Sequence, residues 1–361
     1  MRKKLLILLP LCLALLAVVW GLAAGDASDP LASLSYLEST FSDAVDSRVE
    51  EKLNASDAAL LSGADTGASI SGNGFAWAED RMKQGDVLHG STGVTVMLLA
   101  GQGNVTYSSG AVVDATDGKV IPSGTAVKTN HRYIVAEDTA AEFTVTSKTA
   151  VVDHEGGTFT YSDATDYNAM ASALKTLHLF KGSFTGYGQG FDLEVAPTRL
   201  QALIMFIRVL GEEEQALAWT GTTPFTDIQK GSQAEKYVGY AYSMGYTNGY
   251  TATQFKPAGA VNAWQYTEFI LRAMGYSSAA NTNLSDTLTR AQTAGVLTFG
   301  EAEMLQRDKF LRAELVYVSY YALDAWLPAG DRTLGDLLQE KGVFTSRERE
   351  ETRSMVTGWR L

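Results

Sequence analysis

The chain has 361 residues, 45% of them hydrophobic and 19% charged, with a net charge of −12. That length accommodates two or three domains, and the acidic balance argues against a protein built to grip the phosphate backbone of nucleic acid. The single cysteine, Cys12, sits in an apolar N-terminal run, which excludes disulfides, thiolate catalysis and cysteine metal sites from everything after it.

Met1 to Gly25 opens with Arg2, Lys3 and Lys4, continues through an apolar run from Leu5 to Ala24 and reaches Ala23, Ala24 and Gly25, the layout of a secretory signal. Its removal takes the net charge from −12 to −15, since three positive charges leave with it. The competing expectation is an uncleaved membrane anchor, because the apolar run has about the 20 residues that span a bilayer. Cys12 follows Leu11 rather than a small residue, against a lipid-attachment site, and no second apolar run of this length follows. The last residues, MVTGWRL, carry neither a sorting motif nor a hydrophobic tail.

Leu34, Leu37, Phe41, Val45, Val49 and Leu53 recur every three or four residues, which predicts an amphipathic helix within residues 30–61. SGADTGASISGNG, residues 62–74, then reads as a linker. Residues 75–160 change to short runs rich in Val, Thr, Ile and Tyr bounded by Gly, Asp or Asn, among them GVTVMLLAG, GNVTYSSG, HRYIVAED and TAVVDHEGG. This spacing predicts a small antiparallel β sandwich or barrel, with Asp117-Gly118 as a hairpin turn. His89, His131 and His154 are separated from one another in sequence and suggest no ligand set.

Helical periodicity returns at Tyr167. FDLEVAPTRLQALIMFIRVLG, from Phe191, is echoed from Phe255 at an offset of 64, which places Thr198 over Asn262, Gln201 over Gln265, Arg208 over Arg272 and Gly211 over Gly275. Each copy has a first helix, a glycine-containing loop, an aromatic residue and a second helix capped by Thr198 or Asn262. The first helices are expected at about 167–179 and 234–244. A third, shortened copy is read in FLRAE, Phe310 to Glu314. GYGQGF, residues 186–191, follows a helix rather than a strand and is set aside as a dinucleotide loop. Glu212 to Glu214 read as part of a solvated short helix, and SREREETRSMV as a polar helix capped by Ser346.

The ordered set PFTDI (224–228), AYSMGYTNGY (241–250), FKPAGAVN (255–262), PTRLQ (197–201) and LRAEL (311–315) resembles the S-layer homology domain of bacterial cell-envelope proteins. The resemblance covers about residues 162–327, as three repeats at roughly 162–220, 221–280 and 281–327, with a helical tail at 328–361. It implies an all-α pseudo-threefold domain, so the expected fold class is multidomain α+β. It also implies a non-enzymatic, exported protein of the bacterial surface, held non-covalently to a secondary cell-wall polysaccharide, often pyruvylated. No cofactor or metal and no nucleic-acid partner is expected; self-association in an envelope layer is.

A helix N-terminus with an adjoining arginine suits a carboxylate. Arg199 and Arg312 hold that position, with Thr198 and Glu314 completing the family's Thr-Arg-Ala-Glu entrance, while the second copy has Ala263 in the arginine's place. Tyr246 and Tyr250, near the loop, are candidates for stacking on sugar rings. The rival readings are a wall-tethered glycan-processing enzyme, and a scaffold of decayed repeats that holds the β domain for protein contacts.

Overall fold

The computed structural model describes residues 77–182, 190–277, 283–356 and 360–361. The signal, the helix expected within 30–61, the linker and most of GYGQGF lie outside these residues. Eleven strands come first: β1 (Trp77–Lys83), β2 (Val87–Gly90), β3 (Thr95–Ala100), β4 (Gly103–Tyr107), β5 (Val112–Asp114), β6 (Lys119–Ile121), β7 (Thr125–Ala126), β8 (Arg132–Val135), β9 (Ala141–Val145), β10 (Thr149–Glu155) and β11 (Thr158–Thr160). They form two antiparallel sheets, ordered β1-β10-β3-β8-β5-β6 and β11-β2-β9-β4-β7.

Alternation sets what each strand buries. Along β9, Ala141, Phe143 and Val145 are buried while Glu142 is exposed. In β10 four consecutive residues are buried, because a register shift between Val151 and Val152 breaks the period. One hydrophobic cluster draws Met82, Val96, Leu98, Tyr133 and Val152 from the first sheet and Leu88, Val105, Phe143 and Val145 from the second. Asp117 and Gly118 lie in the turn between β5 and β6, with Gly118 at φ 65°.

Ten helices follow among the described residues: α1 (Tyr167–Thr176), α2 (Arg199–Val209), α3 (Glu213–Ala218), α4 (Gln233–Ser243), α5 (Ala263–Ala273), α6 (Thr287–Thr293), α7 (Phe299–Arg307), α8 (Arg312–Ala322), α9 (Leu334–Glu340) and α10 (Ser346–Met355). The first helices of the copies, α1, α4 and α6, each end at a residue in the left-handed region, His178 at φ 62°, Gly245 at 74° and Gly295 at 71°. The second helices, α2, α5 and α8, touch one another. Each first helix lies against the second helix of another copy: α4 on α2, α6 on α5, and α1 on α8. A second hydrophobic cluster fills the space between them, including Phe206, Phe255, Tyr266 and Tyr317.

The cap of α10 is Thr345, one residue before the expected Ser346, because Glu348 then sits at the third helical position and completes a reciprocal capping box. Glu212 to Glu214 lead into α3 as expected, but the helix is not simply solvated. Glu212 accepts hydrogen bonds from the hydroxyls of Tyr240 and Tyr246, both at 2.9 Å, and Glu213 from Tyr237 at 2.7 Å and Arg208 at 2.8 Å. Polar contacts tie the sheets to the helical region. Lys148 Nζ lies 2.5 Å from Glu314 and 2.7 Å from Asp308, and the Arg81 guanidinium lies over the Phe191 ring.

Candidate functional site

The site is built around the entrance to α2. Thr198 caps the helix, accepting from Gln201 N at 3.2 Å, while the Gln201 side chain accepts from Thr198 N at 3.0 Å. The segment that leads into α5 crosses this entrance. Asp227 anchors it by accepting from the amides of Phe255 and Lys256 at 2.9 and 2.7 Å, which holds Lys256 in the left-handed region at φ 58°. These bonds outweigh burial and hold the Asp227 carboxyl below the usual range.

Pro257 and Gly259 then present their carbonyls to the helix. Arg199 N donates to Gly259 O at 2.8 Å and Leu200 N to Pro257 O at 3.2 Å. This corrects the expectation of a ligand held on free first-turn amides: the first three are spent on neighbouring backbone and on Thr198. What the entrance offers instead is the guanidinium itself. Arg199 is 5% exposed, donates from Nε to Phe255 O at 2.9 Å and lies 5.1 Å from the centre of the Phe255 ring. It makes no ion pair with any described residue. Burial lowers its pKa, opposed by the pull of Tyr250 and Asp227, and a guanidinium stays charged through such a shift.

Arg199 lines a cleft of about 390 Å³ with the loop Thr247–Ala252 and with Gln265, Glu268, Phe269 and Arg272 of α5. The loop needs glycine at position 249, where φ is 82° and an added Cβ would lie 2.3 Å from the Phe225 ring. Glu268 is the carboxylate among the lining residues, and it is already matched by Arg272 at 2.9 Å and Arg290 at 2.5 Å. The balance of charge at the cleft therefore favours an anion. Tyr250, 54% exposed, flanks the opening with Lys256 Nζ 3.6 Å from its ring centre.

The same construction recurs at α8. Arg312 N and Ala313 N donate to Val195 O and Leu193 O at 3.0 and 3.1 Å, the residues 64 positions before Gly259 and Pro257. Asp192, which matches Lys256, also has positive φ, 48°. Arg312 is buried and faces a cleft of about 150 Å³ lined by Gln201, Met205 and Arg208, the counterparts of Gln265, Phe269 and Arg272. Here, however, Asp192 lies 3.9 Å from the guanidinium.

Arg199 and Tyr250 thus line one cleft, with Thr198 capping the helix that carries Arg199; Arg312 belongs to a second cleft. Tyr246 is not placed to stack on a sugar: it is 9% exposed, its hydroxyl donates to Glu212, and its ring packs edge-on against Phe206. Glu314 is also occupied, accepting from Leu311 N at 2.7 Å and pairing with Lys148. Asp227, Glu268 and Arg290 were not among the expected site residues. Arg272 and Gln265 were visible as repeat partners of Arg208 and Gln201, and their recurrence was the signal for a shared wall.

The histidines separated in sequence find carboxylates in space. His131 Nδ1 lies 2.8 Å from Asp114, and both are close to Asp117. The Lys128 ammonium, 2.5 Å from Asp117, and the amides of Thr116 and Asp117, bonded to Asp114, already satisfy this cluster. A larger, open cleft of about 650 Å³ lies on the five-stranded sheet, where His89 and Glu142 stand 3.6 Å apart. Both side chains are substantially solvated, so this cleft lacks the uncompensated buried charge that marks the one at Arg199.

The fold and the site define a helical repeat module whose helix entrances form cation-lined clefts. Residues 224–262 match the S-layer homology domain family, so the chain is an S-layer homology domain-containing protein, and a domain of that family is one of non-covalent cell-wall attachment. No curated protein matches the chain. Among solved structures, procruciferin, an 11S globulin from Brassica napus, aligns over 27% of this chain and 27% of its own at 9% identity and a TM-score of 0.17. Pumpkin seed globulin aligns over 27% and 28% at 9% identity and 0.16, and the coconut allergen cocosin over 27% and 29% at 11% and 0.15. The chain spans less than a third of each of these structures, and similarities this weak carry no argument about fold or function.

Proposed function

We propose that residues 162–327 form a pseudo-threefold domain of three S-layer homology repeats that holds an exported, non-enzymatic protein on a secondary cell-wall polysaccharide. The observation that carries this reading is the buried Arg199 guanidinium, which has no ion-pair partner among the described residues and lines a cleft assembled from two repeats. An acidic substituent on the polymer, such as a pyruvyl ketal carboxylate, would supply the missing anion in a charge-assisted and partly desolvated bond. Tyr250 at the rim offers a ring face to the adjoining sugar. The cyclic contacts among α2, α5 and α8 support the threefold arrangement.

Residues 75–160 are displayed by this anchor. The strand orders β1-β10-β3-β8 and β2-β9-β4-β7, with β5 and β6 added beside β8 and β11 beside β2, support the reading of these residues as a jelly-roll sandwich. Co-sedimentation of the protein with purified sacculi, before and after chemical removal of the attached polymers, tests the anchor. Binding to intact sacculi that disappears on stripping is the expected result. Equal binding to stripped sacculi would show that peptidoglycan or another component is the ligand.

A further inference from the structure

The third junction between repeats has the opposite polarity to the other two. Counted from Arg312 as α2 is counted from Arg199, residues Glu314, Tyr317, Val318 and Tyr321 of α8 stand where Gln201, Ile204, Met205 and Arg208 form the wall of the Arg312 cleft. By the repeat register, the entrance that pairs with this wall is that of α5, which carries Ala263 in place of arginine. Where α4 runs into the open loop Thr247–Ala252, α6 runs instead through Val296 into helix α7, and this brings Glu301 against the wall.

Glu301 is 0% exposed. A carboxylate buried to that extent requires both hydrogen bonds and a counter-charge. It accepts from Thr298 N at 2.7 Å and Tyr317 OH at 3.1 Å. The counter-charge is Arg360, whose Nε lies 2.7 Å from Glu301 Oε1 and Nη2 3.0 Å from Oε2, a two-point grip on the carboxylate. Nη2 also donates to Val296 O at 2.9 Å, and the guanidinium lies 4.9 Å from the centre of the Tyr321 ring. The next residue continues the contact: Leu361 N donates to Tyr317 OH at 3.1 Å, and Thr298 Oγ1 donates to Leu361 O.

Carboxylate, carbonyl and aromatic ring are the three elements that recognise a guanidinium. We propose that the third junction is an arginine-receiving site filled by the protein's own Arg360, so that the repeats present two acid-receiving clefts rather than three. The second half rests on the wall-anchoring reading above; the first stands without it. At Arg199 the protein supplies the cation and a ligand the acid, whereas at the third junction it supplies both, and no cation is left over for an acidic polymer.

The test uses the full chain with Arg360→Gln, Glu301→Gln and the double substitution. Thermal unfolding of Arg360→Gln should fall by about 4–10 °C, because a buried carboxylate loses its counter-charge, and the double variant should lose clearly less than the sum of the two single losses. Should Arg360→Gln fail to fold, Arg360→Lys, which keeps the charge without the fork, should fold with an intermediate loss. Additive losses, or an Arg360→Gln protein as stable as the parent, overturn the site. On sacculi, Arg360→Gln should bind within about twofold of the parent, and the Arg199→Ala/Arg312→Ala double variant should retain almost none. A loss with Arg360→Gln as large as with Arg199→Ala would make Arg360 a polymer contact and overturn the proposal. A folded double variant that still binds would overturn the count of two clefts. If the parent itself does not bind sacculi, the anchoring reading fails while the coupling of Arg360 to Glu301 remains testable by unfolding.

Discussion

The Arg199 and Arg312 clefts share a backbone plan and differ in charge. In both, the segment before a second helix crosses the entrance of another helix and takes its first two amides with carbonyls at matching positions. Arg199 then faces an opening of about 390 Å³ without an ion-pair partner among the described residues, while Arg312 faces one of about 150 Å³ with Asp192 3.9 Å away. A repeat can thus preserve its geometry while one difference, Asp192 where Lys256 stands in the other copy, places an acid beside the guanidinium. An arginine at the right position is not enough to define an anion seat; the acid beside it decides whether its charge is available.

The largest expected effect follows from that difference. Arg199→Ala should weaken binding to sacculi by roughly tenfold or more, since a charge-assisted bond contributes about 1.5–3 kcal/mol. Arg312→Ala should cost less, about twofold to fivefold, and equal losses in the two folded variants would erase the distinction between the clefts. Asp192→Asn keeps a residue that tolerates positive φ and removes the nearby carboxylate, so it should strengthen binding by up to about fivefold, near 1 kcal/mol. An unchanged affinity for that variant would show that Asp192 does not limit the second cleft.

A smaller effect separates the walls of the clefts by pH. Glu213, which grips Arg208 in the wall of the Arg312 cleft, is pushed up by burial, but hydrogen bonds from Lys181, Tyr237 and Arg208 prevail and bring it to about 2. A carboxylate depressed in the folded state adds stability that is complete above its ordinary value and is lost as pH falls through the folded one. The melting temperature should therefore decline between about pH 4.5 and pH 2, and Glu213→Gln should flatten that part of the profile. A profile of identical slope in the variant would remove Glu213 from the cause.

Much of this was legible in the sequence because the repeat offset of 64 is also a structural register: Phe191 and Phe255, Thr198 and Asn262, and Gln201 and Gln265 occupy matching places. The β-rich runs GVTVMLLAG, GNVTYSSG, HRYIVAED and TAVVDHEGG correspond to strands because turn residues punctuate them. β1, WAEDRMK, gives no such signal, since its charged side chains find separate partners, Asp80 with His154, Lys83 with Asp86 and Arg81 over the Phe191 ring. The reversal at the third junction was hidden for a different reason. Glu301 and Arg360 are far apart in sequence, and no periodicity reports a pair made by chain crossing. The direction of Tyr246 is not legible either, because proximity to a loop says nothing of direction, which the bond to Glu212 sets.

The tie between Lys148 and the pair Asp308 and Glu314 has a mechanical meaning. Lys148 sits in the turn between β9 and β10, and its two partners flank the start of α8. Tension applied to the sheets while the repeats are held in place would be delivered through this short ionic link to the first turn of the helix that carries Arg312. An ion pair loses most of its strength over a few ångströms of separation once water enters, so it behaves as a stiff, short-travel fastener. Lys148→Met should therefore lower the force at which the sheets separate from the helices in a pulling experiment, and a force trace unchanged by that substitution would show that the load travels another way.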